Sequence, residues 1–312
     1  MNEKDFAYIM VTPAKNEEKS LPKLINSIED QSIRPLVWFI LNDGSNDNTQ
    51  TIISLACSKH SWIHGFELEN NSAYDIEEHY SSICRLGFDL ATNFCRERQI
   101  SYKYIALSDA DTFYPNNYFY VIINSLKENK NYGIASGNML IYNHEGSIYY
   151  EKTEIDGLNY PYGTGRVWAK EAFEETEGYM LTKSPDTVSN ILSLAKGWKI
   201  NRVSTTNFYQ TRPTCGKINL WDGYFGKGTR YYYVGASLIN LFNNVIFLLF
   251  FSNLRYSRIM SLAFFCGYIS SYLRRYKRIQ NREVRNYMGD YRRVLKNYKT
   301  FALKLIKEEQ GR

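Results

Sequence analysis

The sequence predicts an α/β fold, Rossmann-like, with a mostly parallel central sheet flanked by helices and a helical appendage at the C-terminus. Three observations carry this. Short apolar runs of strand length alternate with stretches of helical spacing. The runs end in polar turns. After about residue 235 the texture changes to apolar helical stretches followed by many cations.

Residues 7–12 (AYIMVT) read as a buried strand, broken by Pro13 to Asn16. Glu17 to Asp30 then show helical spacing through Leu21, Leu24, Ile25 and Ile28. Leu36 to Leu41 make a second apolar run, closed by Asn42-Asp43-Gly44-Ser45, and Asn48 to Cys57 look helical again. Strand–helix–strand–helix within about sixty residues is the pattern of a doubly wound sheet. A third strand is expected over Trp62 to Leu68, a long helix over Tyr80 to Arg98, and a fourth strand over Tyr104 to Leu107. Further on, Pro115 to Asn129 predict a helix and Ile134 to Tyr142 a strand. Helices are expected over Lys170 to Glu175 and over Asp186 to Lys196, the second ended by Gly197. The expected division is a domain over 1–235 and a helical C-terminal region over 236–312.

Composition narrows the function classes. Of 312 residues, 27 are Tyr and 17 Phe, an aromatic load that suits cores and also sugar and membrane-interface sites. Residues 253–312 carry 15 Lys/Arg against 4 Asp/Glu, whereas 1–252 carry 23 against 28. An acidic body with a basic tail implies an anionic partner for the tail, nucleic acid or lipid. Neither a zinc site nor a disulfide framework is expected, because Cys57, Cys84, Cys95, Cys215 and Cys266 show no CxxC spacing and no His at ligand spacing. His60, His64, His79 and His144 show no mutual metal spacing and read as solvated or structural. The N-terminal MNEKDFAYIM lacks a long apolar stretch, so no secretory signal is expected.

Leu238 to Phe251 and Ile259 to Leu273 are apolar and helical, each shorter than the ~20 residues needed to span a bilayer. Arg274, Arg275, Lys277 and Arg278 follow. The pattern fits helices lying in a membrane interface with cations on lipid phosphates. A helical pair packed on the domain is the plainer alternative.

The chemistry-bearing residues lie at strand ends. Ser108-Asp109-Ala110-Asp111-Thr112 places two carboxylates two positions apart after a buried strand. In open α/β sheets that edge binds ligands. Two such carboxylates repel unless a cation or proton intervenes, and Mg²⁺ or Mn²⁺ is the natural occupant. Asp43 can accept hydrogen bonds from a base or ribose; alone, it is equally an Asp-Gly turn. Small residues in Thr12-Pro13-Ala14-Lys15-Asn16-Glu17 would let a flat base approach the backbone, and Glu17 also suits the first turn of a helix.

Taken together and in order, TPAKNEE, LNDGSNDNT and LSDADT resemble the family 2 glycosyltransferases of GT-A fold over roughly residues 7–200. The resemblance implies that Thr12, Ala14 and Glu17, with Asp43, hold a nucleoside. It implies that Asp109 lies near the ribose or diphosphate and that Asp111 coordinates the metal, so that both are candidate metal ligands. Lys15 stands where many members carry Tyr. The family's catalytic carboxylate maps onto Asp186 in Ser184-Pro185-Asp186-Thr187, the candidate general base, with Pro185 in place of the family's Glu. Gly163-Thr164-Gly165-Arg166-Val167-Trp168 resembles the loop touching donor sugar and acceptor. Arg212 resembles, without the expected Trp and at shorter spacing, a motif of processive synthases; Arg230 or Lys227 could meet a diphosphate.

The resemblance thus implies an inverting, metal-dependent transfer of a sugar from a UDP- or GDP-linked donor to a glycan or lipid-linked acceptor. The expected location is cytoplasmic, peripheral at the inner face of the membrane, with no nucleic-acid partner. A nucleotidyltransferase would need a Gly-rich basic loop after the first strand, which TPAKNEE lacks. A non-enzymatic basic-tailed binding module lacks any recognised nucleic-acid motif.

Overall fold

The computed structural model describes residues 3–68, 76–142, 148–149, 160–211, 219–250 and 257–290. The chain divides into two compact units: residues 1–150 with 160–212, and residues 151–159 with 213–312.

In the first unit a 3₁₀ turn (Glu3–Phe6) leads into β1 (Tyr8–Ala14), α1 (Leu21–Glu29), β2 (Val37–Asn42), α2 (Thr49–Lys59), β3 (Ile63–Glu67) and α3 (Ile76–Glu97). Then come β4 (Tyr104–Leu107), β5 (Thr112–Phe113), α4 (Tyr118–Glu128), β6 (Tyr132–Tyr142), β7 (Ile148–Tyr149) and β8 (Arg166–Ala169). The unit closes with α5 (Lys170–Glu175), α6 (Pro185–Ala195) and β9 (Lys199–Gln210). The strand order is β3-β2-β1-β4-β8-β6-β9-β5, with β7 beside β6. β3, β2, β1 and β4 are parallel, β6 and β9 pair in parallel, and β8 runs against both of its neighbours.

Side chains of a strand alternate between faces, and both faces of this sheet are covered. Tyr8, Met10, Trp38, Ile40, Tyr104 and Ala106 pack with Leu21, Leu24 and Ile28 of α1 and Phe119, Ile122 and Ile123 of α4. Ile9, Val11, Phe39, Leu41, Ile105 and Leu107 pack on the other face, with Cys84, Phe88 and Ala91 of α3 and Phe173 of α5. That two-sided burial explains why these strands are continuous apolar runs. Pro22 and Pro185 sit in the first turns of α1 and α6, where a missing N–H costs nothing.

The expected strands and helices of the first unit are present with ends shifted by up to four residues. Four strands went unforeseen, among them the two-residue β7. β8 is four residues, all buried, too short to show a period. β9 is largely polar, and β5 is two residues long.

The second unit holds α7 (Leu220–Tyr233), α8 (Leu238–Phe250), α9 (Ser257–Leu273) and α10 (Arg282–Gly289). The break lies near residue 212, upstream of the composition change at 235, because α7 packs on α9. Gly228 and Gly267 make this crossing: a Cβ on Gly228 would fall on the Phe264 carbonyl oxygen, and one on Gly267 on that of Phe225. Tyr268 donates its hydroxyl to the Ala236 carbonyl at 2.6 Å, and Asn240 Nδ2 to the Met288 carbonyl at 2.6 Å. Among the described residues no helix is long and apolar enough to cross a membrane.

Candidate active site

Because β1, β2 and β4 are parallel and in register, their carboxyl ends share one edge. The turns after them carry the three motifs. The first two are laced together by polar side chains. Asn16, at φ +55°, accepts the Asn46 amide at 2.8 Å, while its own amide donates to Ser45 Oγ at 2.9 Å. The Glu17 amide donates to Thr49 Oγ1 at 2.8 Å, and the Glu18 amide to Asp47 at 3.1 Å. Many of the polar residues in TPAKNEE and LNDGSNDNT therefore hold two loops in one shape.

Asp43 is nearly buried at this edge, and its amide donates to the Ala14 carbonyl at 2.8 Å. Lys15 Nζ donates to its carboxylate at 3.1 Å. His79 Nε2 lies 2.9 Å from both carboxylate oxygens, a separation that a protonated Nε2 fills. Lys15 thus serves as a counter-ion to Asp43. His79, read from spacing alone as solvated or structural, belongs to the site. Thr12 does not present its side chain there: it is fully buried and accepts the Trp38 indole N–H at 3.0 Å.

Asp109 follows β4. Its amide donates to Thr164 Oγ1 at 2.8 Å, and its carboxylate accepts the Tyr80 hydroxyl at 2.7 Å. Burial first, then the negative charge of Asp111, holds the Asp109 carboxyl above the usual range; Asp186 and Glu17 push the same way, and the Tyr80 bond opposes them. The charges of Asp111, Asp186 and Glu17 thus all reach the Asp109 carboxyl. Asp111 is tied through its carbonyl to the Thr211 amide at 3.2 Å, where β5 meets β9.

The unforeseen β8 completes the arrangement. Running antiparallel to β4 with Arg166 opposite Leu107, it delivers the Gly163–Gly165 turn beside Asp109. A Cβ on Gly163 would fall on the Asp186 carboxylate, so only glycine leaves that carboxylate its place. Gly165 has φ +65°, and its carbonyl accepts the Tyr118 hydroxyl at 2.6 Å. Asp186, in the first turn of α6, accepts the Tyr179 hydroxyl at 3.1 Å. Arg166 is fully buried and donates to the carbonyls of Tyr162 (2.6 Å), Pro161 (3.0 Å) and Asp186 (3.4 Å) and to Asn190 Oδ1 (3.3 Å). It binds the glycine turn to the helix that carries Asp186.

Ala14, Glu17, Asp43, Asp109, Asp111, Gly163, Gly165 and Asp186 thus all belong to the first unit, at the strand end, turns and first helical residues around this edge. Sequence reasoning missed His79, Tyr80 and Tyr179, and named Arg166 only as a member of the glycine loop. Arg212 lies outside the described residues, and Arg230, on α7, belongs to the second unit. Among the described residues no group of three His, Cys, Asp or Glu side chains is placed to hold a metal ion. The crowded pair Asp109 and Asp111 fits a divalent cation whose remaining ligands are substrate oxygens, as Mg²⁺ commonly requires.

Residues 9–76 match the model of glycosyl transferase family 2. A 4,4'-diaponeurosporenoate glycosyltransferase of Staphylococcus haemolyticus is 36% identical over 78 residues, spanning 25% of this chain and 19% of that protein. The matched segment is thus about a fifth of the curated relative's length. S. aureus TarS 1–349, solved with UDP-GlcNAc, aligns at TM-score 0.51 and 13% identity over 85% of this chain and 73% of its own. The mannosyltransferase PcManGT of Pyrobaculum calidifontis, solved with GDP-Man and Mn²⁺, aligns at TM-score 0.49 and 11% identity over 85% and 73%. Residues 9–76, which hold β1 and β2 with the first two motifs, are thus similar to glycosyl transferase family 2, and the fold is similar to that of S. aureus TarS 1–349.

Proposed function

We propose that the protein is an inverting glycosyltransferase that moves a sugar from a nucleoside-diphosphate donor to a hydroxyl of a glycan or lipid-linked acceptor. The single observation that carries this is the gathering of Asp109, Asp111, Asp186 and Glu17 at one sheet edge, where Asp109 is held above the usual carboxylate range. A donor diphosphate with its cation is the ligand such an edge suits. UDP-GlcNAc is the first donor to try, since TarS was solved with it; a GDP-sugar is the second.

In this reading Asp43, fixed by Lys15 and His79, accepts hydrogen bonds from the nucleoside beside Ala14 and Glu17. Asp109 and Asp111 would hold Mg²⁺ or Mn²⁺, which when bound would offset the charge of the departing diphosphate. Gly163 and Gly165 let the sugar approach the backbone. The Asp186 carboxylate takes the proton of the acceptor hydroxyl. That oxygen bonds to the anomeric carbon as the bond to the diphosphate oxygen breaks, and the electron pair leaves with the nucleotide. Attack from the face opposite the nucleotide inverts the centre.

Asp186→Asn tests the assignment. A general base contributes ~10²–10⁴-fold in rate, so the variant should bind donor normally and lose transfer by about that factor. Normal turnover by the variant overturns the role of Asp186. Absence of cation-dependent donor binding by the wild-type protein overturns the whole reading.

A further inference from the structure

The second unit buries one face of each of its apolar helices and leaves another apolar face in solvent. On α8, Leu241, Phe247 and Leu248 are buried, whereas Phe242, Ile246 and Phe250 are 52%, 48% and 75% exposed. On α9, Met260, Ala263 and Phe264 are buried, and Ile259, Leu262 and Leu273 are 47%, 54% and 72% exposed. α8 and α9 pack together, with the Phe242 ring 6.1 Å from that of the half-buried Phe265, so the two outward stripes are neighbours. Contiguous apolar patches of this kind mark docking surfaces.

Charge identifies what docks there. Arg258 is exposed at the start of α9, and Arg274, Arg275, Lys277 and Arg278 are exposed just past its end. The Arg278 guanidinium rests on the Tyr232 ring at 4.5 Å, and Arg274 donates to the Tyr276 hydroxyl at 3.1 Å. A second copy of the chain would bring a like-charged cluster alongside, from a segment with net charge +11 over 253–312. An anionic surface neutralises it instead. Among the described residues the 13 of α8 and the 17 of α9 rise about 20 and 25 Å, short of a ~30 Å hydrocarbon core.

We propose that the joined outward face of α8 and α9 docks on an anionic lipid bilayer and lies in its interface plane. Apolar side chains enter the acyl boundary while the flanking arginines and Lys277 meet lipid phosphates. This deepens the lipid-linked acceptor reading but does not depend on sugar transfer, so either can fail alone.

The test is flotation of the full chain with phosphatidylcholine vesicles, with and without phosphatidylglycerol. The wild-type protein should float with the anionic vesicles and retain part of its binding as salt rises. Phe242→Ser with Ile246→Ser should weaken binding by on the order of tenfold or more, while the protein stays folded, since about half of each side chain lies in solvent. Arg274→Glu with Arg275→Glu should abolish the preference for anionic lipid. Equal flotation of wild type and both variants, or no flotation of wild type, overturns the proposal. So does a wild-type dimer that the Phe242→Ser, Ile246→Ser pair dissolves, since the face would then join two copies.

Discussion

At the scale of single residues, Asp109 illustrates what an active-site carboxylate costs a fold. Its pKa is raised in the folded state by burial and by Asp111. Between the ordinary carboxylate value and that raised value, the folded protein keeps a proton that the unfolded chain has released. Stability therefore falls as pH rises through that window, and the loss is complete above it. In EDTA, Asp109→Asn should melt higher than wild type at mildly alkaline pH, by on the order of 2–4 °C. The gain should vanish near about pH 3, where both states are protonated. A variant that melts lower at alkaline pH would mean that the Tyr80 hydrogen bond outweighs the repulsion. Asp109 stood out in the sequence because it follows a buried strand, whereas Asp43 and Asp186 were singled out through the resemblance of their motifs. His79, Tyr80 and Tyr179 did not stand out, since their partners lie 36, 29 and 7 positions away across a fold. A His-Tyr pair near the start of a long helix was the only trace of the first two.

At the scale of elements, legibility followed periodicity. α1, α4 and the strands β1, β2 and β4 announce themselves by spacing or by unbroken apolar runs. α7 was hidden by its glycines (LWDGYFGKGTRYYY), which lower helix propensity and read as turns. One of those glycines is a packing device: Gly228 faces the Phe264 backbone as Gly267 faces that of Phe225. Gly228→Ala should push α7 and α9 apart and destabilise the second unit by about 1–3 kcal/mol in chemical denaturation. Combining it with Gly267→Ala should cost less than the two singles added, because one displacement relieves both clashes. Full additivity would show that the two contacts are independent.

At the scale of the whole molecule, a cation held as proposed by Asp109 and Asp111 would need substrate oxygens as further ligands, since the described residues offer no group of three metal-ligating side chains. Mn²⁺ alone should therefore shift the melting temperature little, and UDP alone little. Together they should raise it by more than the two shifts added, following mass action on a ternary complex. A full shift with Mn²⁺ alone would place the cation in a cage of protein ligands. The strand order also has a temporal side. β1, β2 and β3 pair with each other within residues 8–67, whereas Asp109 and Asp111 wait for β8, which pairs Leu107 with Arg166, and for β9, which pairs Thr112 with Gln210. Translation from the end of β3 to the end of β9 covers roughly 140 residues, about 7–30 s at 5–20 residues per second. The half that would hold the nucleoside can form on the ribosome in that interval, ahead of the half that would hold the cation. Meanwhile the edge of β4 that β8 will cover stands open to any extended chain nearby, which makes those seconds the period when a nascent molecule most needs a chaperone.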